Sequence, residues 1–211
     1  MSTLPSRAKR KSGPERAAEI ARTAREIARY DGLDAITLRA IAARIGVTPA
    51  LVSHYEPSTE GLVATTFGSI AGAELAEITR ELSALPSSVE ALRALIDTLL
   101  GPDRSTVTTV WLDAWSVGRR NLALAREVGV QMDAWQAFLV ALLNRGCARG
   151  EFAVADSGAL AWQLLAIIDG INAHAVVRYG DARGQRDLVR TVAEHELGLP
   201  AGALAPAPAP A

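Results

Sequence analysis

The sequence predicts an all-α protein made of a small N-terminal head and a larger C-terminal body. Apolar residues recur at the three- to four-residue spacing of amphipathic helices through most of the chain. One stretch, residues 38–55, has the pattern of two short helices joined by a tight turn. With 211 residues, of which 49% are apolar, the chain can bury a sizeable core as one elongated unit or as two small helical domains.

The charge of the chain is distributed unevenly, which its net value of -1 conceals. Residues 1–55 hold ten Lys or Arg against five Asp or Glu, so the N-terminal end is basic and the remainder is acidic. No apolar run reaches the roughly 18 residues of a membrane span, and the basic start is followed by Ser12-Gly13-Pro14-Glu15 rather than by a secretory apolar segment. We therefore expect a cytoplasmic protein without a membrane partner.

The N-terminal segment is predicted to contain an arm and a first helix. Residues 1–13 are polar and basic, which favours either a disordered, solvated tail or an arm that follows DNA phosphates. Residues 14–30 combine an apolar stripe with interleaved arginines, the pattern of an amphipathic helix with a basic side. Asp31-Gly32 ends this helix. We assign residues 14–57 to a helix-turn-helix DNA-binding domain.

The helix-turn-helix is predicted from its end signals. Thr37 is a suitable N-cap for the first short helix, and Gly46 tolerates the positive φ that a helix C-terminus often needs. Thr48 can cap the second helix, in which Pro49 occupies the first position without losing a hydrogen bond. Val52 can pack back against the first helix, which leaves the second helix on the outer surface, as a recognition helix requires.

These residues resemble the TetR family of bacterial repressors. The matching positions are Thr37-x-Arg39-x-Ile41-Ala42-x-x-Ile45-Gly46-Val47-Thr48-x-x-x-Val52-x-x-Tyr55, followed by Glu60-x-Leu62. Ser53-His54-Tyr55 and Glu60-Gly61-Leu62 are most similar to the choline-responsive, BetI-like branch. The resemblance implies a TetR-like homodimer that binds a double-stranded DNA operator and leaves it when a small-molecule effector enters the body. The expected DNA contacts are Thr37, Arg39, Thr48, Pro49, Ala50, Leu51, Ser53, His54 and Tyr55.

Two positions depart from the family pattern. Glu56 stands where relatives usually have an aromatic or apolar residue, and Thr59 stands where many have a lysine that contacts a DNA phosphate. Both changes remove favourable contacts with a polyanion. They support an alternative hypothesis, in which the chain is a helical small-molecule or protein-binding module that no longer binds DNA.

Residues 58–198 are predicted to form the ligand-binding and dimerisation body. A long helix from Ser58 to about Leu82 is the expected lever between head and body, and apolar stripes predict five further helices over residues 86–101, 105–118, 121–149, 156–177 and 185–197. The helix from residue 156 is apolar almost all round, so it needs several neighbours. The resemblance implies that the last two helices pair with their copies in a dimer. The Ala- and Pro-rich segment 199–211 is predicted to be disordered.

The body contains the candidate ligand site. Trp162, Ala166 and Asp169 share one helical stripe, so a carboxylate lies on an otherwise apolar face and needs a partner. One interpretation is a cage of tryptophans and a carboxylate for a quaternary ammonium ion. The other is a core aspartate paired with an arginine such as Arg119, Arg120 or Arg178. The candidate ligand-binding residues are Trp111, Trp115, Trp162, Asp169 and Asn172.

The sequence offers no support for catalysis or metal binding. It lacks the P-loop, G-x-S-x-G, H-E-x-x-H and dinucleotide glycine patterns. His54, His174 and His195 do not have metal-ligand spacing, and the single Cys147 cannot form an internal disulfide or a cysteine cluster. We therefore expect no enzyme activity, no cofactor and no metal. The favoured hypothesis is a ligand-responsive transcriptional repressor.

Overall fold

Helices make up the regular secondary structure of the part of the chain that the structure describes. The computed structural model describes residues 11–101 and 104–206. A short 3-10 helix, Leu33–Ala35, connects the first two α-helices. The α-helices are α1 (Gly13–Tyr30), α2 (Leu38–Ile45), α3 (Pro49–Tyr55), α4 (Thr59–Ser83), α5 (Ser88–Leu99), α6 (Ser105–Gly118), α7 (Leu122–Ala148), α8 (Ser157–Val176) and α9 (Ala182–Glu196). The predicted all-α class is confirmed.

The helix ends follow the local signals in the sequence. The Thr37 hydroxyl accepts a hydrogen bond from the Ala40 amide at 3.0 Å, and the Thr48 hydroxyl accepts one from the Leu51 amide at 3.3 Å. Gly46 closes α2 with φ +67°, in the left-handed region that glycine adopts at little cost. The start of α1 carries a reciprocal capping box between Ser12 and Glu15. The predicted caps of α2 and α3 are therefore confirmed.

The head is a three-helix unit around one apolar core. Its α1 contributes Ile20, Ala24 and Ile27, each at most 1% exposed, to the interior that α2 and α3 also face. Val52 of α3 is fully buried, as the helix-turn-helix pattern predicts. The core of the head is completed by Ala28, Leu33, Ile36, Ile41 and Ala42. Burying these side chains holds α3 at the surface of the head.

The body is organised around the pairing of the two longest helices, α4 and α7. The α4 helix runs from the head into the body, where it packs along α7, and α6 and α8 also pack on α7. The turn after α7 folds back on that helix, because Gly150 has φ +69° and Phe152 lies directly on Gly146. A β-carbon at Gly146 would lie 2.1 Å from the Phe152 ring. Gly146 is therefore required for this close approach.

The two terminal segments differ in part from their predictions. The disordered tail predicted from residue 199 is wrong as far as Pro206, because Leu204 is fully buried and Glu194 accepts hydrogen bonds from the Gly202 and Leu204 amides at 3.0 and 2.7 Å. Arg93 also donates to the Ala203 carbonyl at 2.7 Å. Glu194 and Arg93 give the segment hydrogen-bonding partners that its own composition does not reveal. Residues 207–211 lie outside the described residues.

The predicted arm, residues 1–13, is also shorter than expected at its C-terminal end. Gly13 already belongs to α1, and Ser12 is the N-cap of that helix. Lys11 forms an ion pair with Glu19 of α1. Residues 1–10 lie outside the described residues.

We expect Gly146→Ala to lower the free energy of unfolding by about 1–3 kcal/mol, because the added methyl group would overlap the Phe152 ring. This range is the net effect, in which the steric overlap outweighs the gain of about 1 kcal/mol in helix propensity. Gly129→Ala is the matched control on the same helix, since open space surrounds Gly129, and it should stabilise the protein slightly. Chemical denaturation at a fixed protein concentration measures both values. An unfolding free energy for Gly146→Ala equal to or above that of the wild type would contradict the packing described.

Candidate nucleic-acid interface and ligand cavity

The outer face of α3 is accessible. Thr48, Pro49, Ala50 and His54 are exposed, whereas the intervening Val52 is buried in the head. The half-buried residues of this segment are Leu51, Ser53 and Tyr55. The His54 and Tyr55 rings meet edge to face with centroids 5.3 Å apart. The structure thus brings the predicted α3 residues to one end of the head, where a duplex groove can approach them.

The N-terminal end of α2 adds two predicted DNA contacts beside α3. Thr37 and Arg39 are both exposed. Within the described residues Arg39 forms no ion pair, whereas Arg44 of the same helix pairs with Asp31. An unpaired, exposed guanidinium is suited to contact phosphates or guanine edges. Glu56, which follows α3, and Thr59, the first residue of α4, are the two departures from the family pattern, and both are half-buried.

A cavity of about 250 Å³ opens in the body between α6, α7 and α8. Three of the five predicted ligand residues, Trp111, Trp162 and Asp169, line this cavity. Trp115 does not line it: its ring packs against Trp111, with centroids 5.9 Å apart. Asn172 does not line it either: it lines a neighbouring cleft of about 470 Å³. The remaining wall residues are Leu99, Arg104, Met132, Asp133, Trp135, Gln136, Leu165, Ala166 and Ile168.

Asp169 is the notable charge of this cavity. Within the described residues its carboxylate accepts no hydrogen bond and forms no ion pair. Burial raises the pKa of Asp169 to about 6, although the Arg104 guanidinium partly opposes this shift. At neutral pH the cavity therefore presents an ionised, unpaired carboxylate beside the tryptophan rings, an arrangement that favours a cation.

Arg104 is the cation near Asp169, but its hydrogen bonds go elsewhere. Its Nε and Nη2 atoms donate to the two carboxylate oxygens of Glu74, at 2.6 and 3.3 Å. In the amide orientation that satisfies its neighbours, Asn172 accepts from Arg104 Nη1 at 3.0 Å and donates to the Leu99 carbonyl at 3.2 Å. The suggested partners of Asp169, Arg119, Arg120 and Arg178, are all exposed and form no ion pair with it.

The sequence interpretation missed four polar or aromatic residues of the cavity: Arg104, Asp133, Trp135 and Gln136. Trp135 was visible as one of four tryptophans, but its helical stripe indicated only a core position. Asp133 lies two residues before Trp135 on α7 and carries no distinctive spacing. Arg104 precedes α6 as an isolated cation after a Gly-Pro pair, so no local pattern marks it. Their convergence depends on how three helices are rotated against one another.

A second, larger cleft lies between α4, α5 and α9. Its volume is about 910 Å³, and it is lined by charged groups that include Glu74, Asp97 and Arg190. These charges are already paired, because Glu74 binds Arg104 and Arg190 forms ion pairs with both Asp97 and Asp187. We therefore regard the smaller aromatic cavity as the better candidate for a small cationic ligand.

The α6 helix joins the cavity to the head. At the cavity, Trp111 donates a hydrogen bond from Nε1 to Glu74 of α4 at 3.4 Å and packs edge to face on Phe67 of α4 at 5.0 Å. Two residues further along α6, Asp113 accepts a hydrogen bond from the Leu33 amide at 3.1 Å. A β-carbon at Gly32, which has φ +99°, would lie 3.0 Å from the Asp113 carboxylate. One rigid helix thus contacts the cavity, the lever and the head.

Two family profiles match the chain in agreement with this architecture. Residues 20–66 match the profile described as bacterial regulatory proteins, tetR family. Residues 88–198, more than half of the chain, match the profile described as BetI-type transcriptional repressor, C-terminal. No curated protein matches the sequence.

Solved structures share the fold. A transcriptional regulator from Saccharomonospora viridis in complex with choline has a TM-score of 0.75 at 22% identity, with 87% of this chain and 98% of that chain covered. A transcriptional regulator from Pseudomonas aeruginosa PAO1 has a TM-score of 0.74 at 18% identity, with 92% and 95% covered. A TetR-family regulator from Rhodococcus sp. has a TM-score of 0.73 at 15% identity, with 87% and 99% covered.

At these identities the structural likeness establishes the fold, and the two profiles establish the family. The relatives are transcriptional regulators rather than enzymes. The module without DNA binding is therefore not favoured. The chain belongs to the TetR family of bacterial transcriptional regulators, with a ligand-binding C-terminal domain of the BetI type.

Proposed function

We propose that this regulator is a repressor that binds its operator as a homodimer and is released by a small quaternary ammonium compound. The observation that carries the ligand class is the unpaired Asp169 carboxylate in a cavity with Trp111, Trp135 and Trp162. A cation over an aromatic face gains electrostatic attraction that a neutral molecule does not. The solved regulator that contains choline supports the same class of ligand.

The proposed DNA contacts divide into two groups. Thr37, Thr48 and Tyr55 contact phosphates, because hydroxyl groups near helix N-termini and at the edge of the interface suit anionic oxygens. Arg39, Ala50, Ser53 and His54 lie nearer the base edges in the major groove. Pro49 and Leu51 complete the apolar and steric surface of α3. Since the proposed target is bacterial DNA, we place the protein in the cytoplasm.

The proposed dimer forms through α8 and α9. By length and composition α8 could span a membrane, with a mean hydropathy of 1.3, yet only 33% of its most apolar stretch is buried within one protomer. A helix this apolar needs cover on its remaining sides. The exposed face of α9 includes Leu188, which is 53% exposed. Pairing α8 and α9 with their copies would cover both faces and present two α3 helices to successive major grooves.

The proposed release mechanism uses α6. Asp169 and Trp111 line the same cavity, so a ligand that binds Asp169 would also contact Trp111 of α6. Two residues further along α6, Asp113 accepts a hydrogen bond from the Leu33 amide of the head. Trp111 is also bonded to Glu74 of the lever α4. Ligand binding would thus favour a conformation in which α6 and α4 hold the two heads at a spacing that no longer matches the operator.

We expect Arg39→Ala to weaken operator binding by about 1–3 kcal/mol, or roughly 5- to 150-fold, and to relax base preference at one position of each half-site. Gel shifts with DNA flanking the gene measure this at several salt concentrations. Arg80→Ala is the matched control, since Arg80 is exposed at the body end of α4 and pairs with Glu77. Unchanged affinity and sequence preference in Arg39→Ala would exclude the assigned role.

We expect choline to bind the wild type with an affinity that is constant above the Asp169 pKa of about 6 and falls about tenfold per pH unit below it. A cation binds the ionised carboxylate, so protonation of Asp169 competes with the ligand. Calorimetry from pH 5 to pH 8 tests this. The neutral isostere 3,3-dimethyl-1-butanol is the matched ligand control and should bind without this dependence. Asp169→Asn should lose choline binding at every pH, and retention of binding would contradict the site.

We expect the Asp113→Ala variant to bind choline and to bind the operator. Choline should, however, lower its operator affinity much less than it does in the wild type. The variant removes the acceptor of the Leu33 amide, so the ratio of operator affinities without and with choline should shrink at least about fivefold. Ser116→Ala, an exposed position on the same helix, is the control. The ratio is measured by fluorescence anisotropy of labelled operator. An unchanged ratio in Asp113→Ala would show that α6 does not transmit the signal through this bond.

A further inference from the structure

We infer that the ligand cavity is incomplete in one protomer and that the second copy of the chain covers its mouth at Trp162. This inference rests on the proposed function, both on the cationic ligand and on the dimer through α8 and α9. It adds that ligand and partner subunit meet at the same place. Ligand binding and dimer stability are then linked.

The cavity has a closed inner wall and an open rim. Trp111 and Trp135 of the inner wall are 8% and 5% exposed. Trp162 and Met132 of the rim are 68% and 44% exposed, and Ala166 beside them is also exposed. The Trp162 ring is thus a cavity wall on one side and a solvent-facing surface on the other. A cation bound there would remain in contact with water, which weakens its attraction to the ring.

The rim is continuous with the uncovered face of α8. Successive residues of an α-helix are rotated by about 100°, so Ala159, Ala166 and Gly170 lie within roughly 20° of one line along α8. All three are exposed. By the same geometry Trp162 lies roughly 60° from this line and Asp169 roughly 80° from it, both on the side of the cavity. A helix seated on the Ala159–Gly170 line would therefore also lie against Trp162.

The chemistry of this face suits a second copy of the chain. Between Ser157 and Val177 the only Asp, Glu, Lys or Arg is Asp169, which lines the cavity. In a two-fold dimer each residue of the face approaches its own copy or a close neighbour, so a charged face would repel itself and this one does not. The small side chains Ala159, Ala166 and Gly170 allow close approach of two helices. The Ala159–Gly170 line itself offers no charge to a strongly acidic or basic partner, because the carboxylates of Asp133 and Asp169 lie in the cavity beside it.

The coupling between ligand binding and dimer formation can be measured without disrupting the fold. If the ligand binds the dimer more tightly than the monomer, the ligand must stabilise the dimer by the same factor at each site. A tenfold preference at each of two sites tightens the dimer about a hundredfold at saturation. Choline should therefore slow the exchange of subunits between dimers.

The test uses the full chain and choline chloride. Unlabelled and ¹⁵N-labelled dimers are mixed, and native mass spectrometry follows the mixed dimer with and without saturating choline. We expect choline to slow exchange at least about tenfold in the wild type and to leave exchange of Asp169→Asn unchanged. Calorimetry on the same samples establishes whether choline binds. Bound choline with unchanged exchange overturns the partner cover alone, whereas absence of choline binding overturns the proposed ligand class and this inference together.

A second measurement tests the cover at Trp162 directly. The difference in iodide quenching of fluorescence between the wild type and Trp162→Phe reports the accessibility of this one indole. We expect Trp162 to be quenched at least about fivefold less than free tryptophan in the dimer, although it is 68% exposed in the protomer. Quenching of Trp162 close to that of free tryptophan, or a monomeric wild type in native mass spectrometry, overturns the inference.

Discussion

The bidentate ion pair between Arg104 and Glu74 determines the character of the ligand cavity. Arg104 is close enough to Asp169 to oppose the rise in its pKa, but its donors are directed to Glu74 and Asn172. Asp169 thus lies among tryptophans and has no hydrogen-bonding partner of its own among the residues that the structure describes. An unpaired carboxylate in such surroundings is costly, and a cationic ligand would remove much of that cost. The same ion pair connects the cavity with the lever α4.

A single helix, α6, connects the cavity with the DNA-binding head. Trp111 and Asp113 are two residues apart on α6, yet one faces the cavity and the other holds the Leu33 amide. An α-helix moves as a nearly rigid element, so in the proposed mechanism a displacement of α6 at the cavity would also move its contact with the head. The positive φ of Gly32 and its close approach to Asp113 restrict the residue types that this junction accepts.

The apolar residues of α8 fall into two groups, one packed into the body of the protomer and one exposed on its surface. One side of this helix packs into the body through residues such as Leu160, Leu164 and Ile168. The opposite side stays exposed in the protomer, although it carries small and apolar residues instead of charges. A buried core alone therefore does not account for the composition of α8. The cost of exposing this face is what the proposed dimer would remove.

The sequence by itself determined the features that depend on neighbours within one or two helical turns. The all-α class, the caps at Thr37 and Thr48 and the burial of Val52 could be predicted, because capping and amphipathic periodicity are local interactions. Tryptophans and an aspartate in the body could likewise be identified as candidates. Only the tertiary structure decided that Trp135 rather than Trp115 lines the cavity, and that Glu74 binds an arginine 30 positions away.

These outcomes depend on the rotation and relative positions of helices that are distant in the chain. The buried position of Leu204, secured by Glu194 and Arg93, has the same origin, since the Ala- and Pro-rich composition around it indicated disorder. Local patterns specify what each segment can form. The contacts between side chains are decided when the segments pack. Successive residues of a helix point in directions about 100° apart, so the rotation of a helix determines which of them face a neighbour.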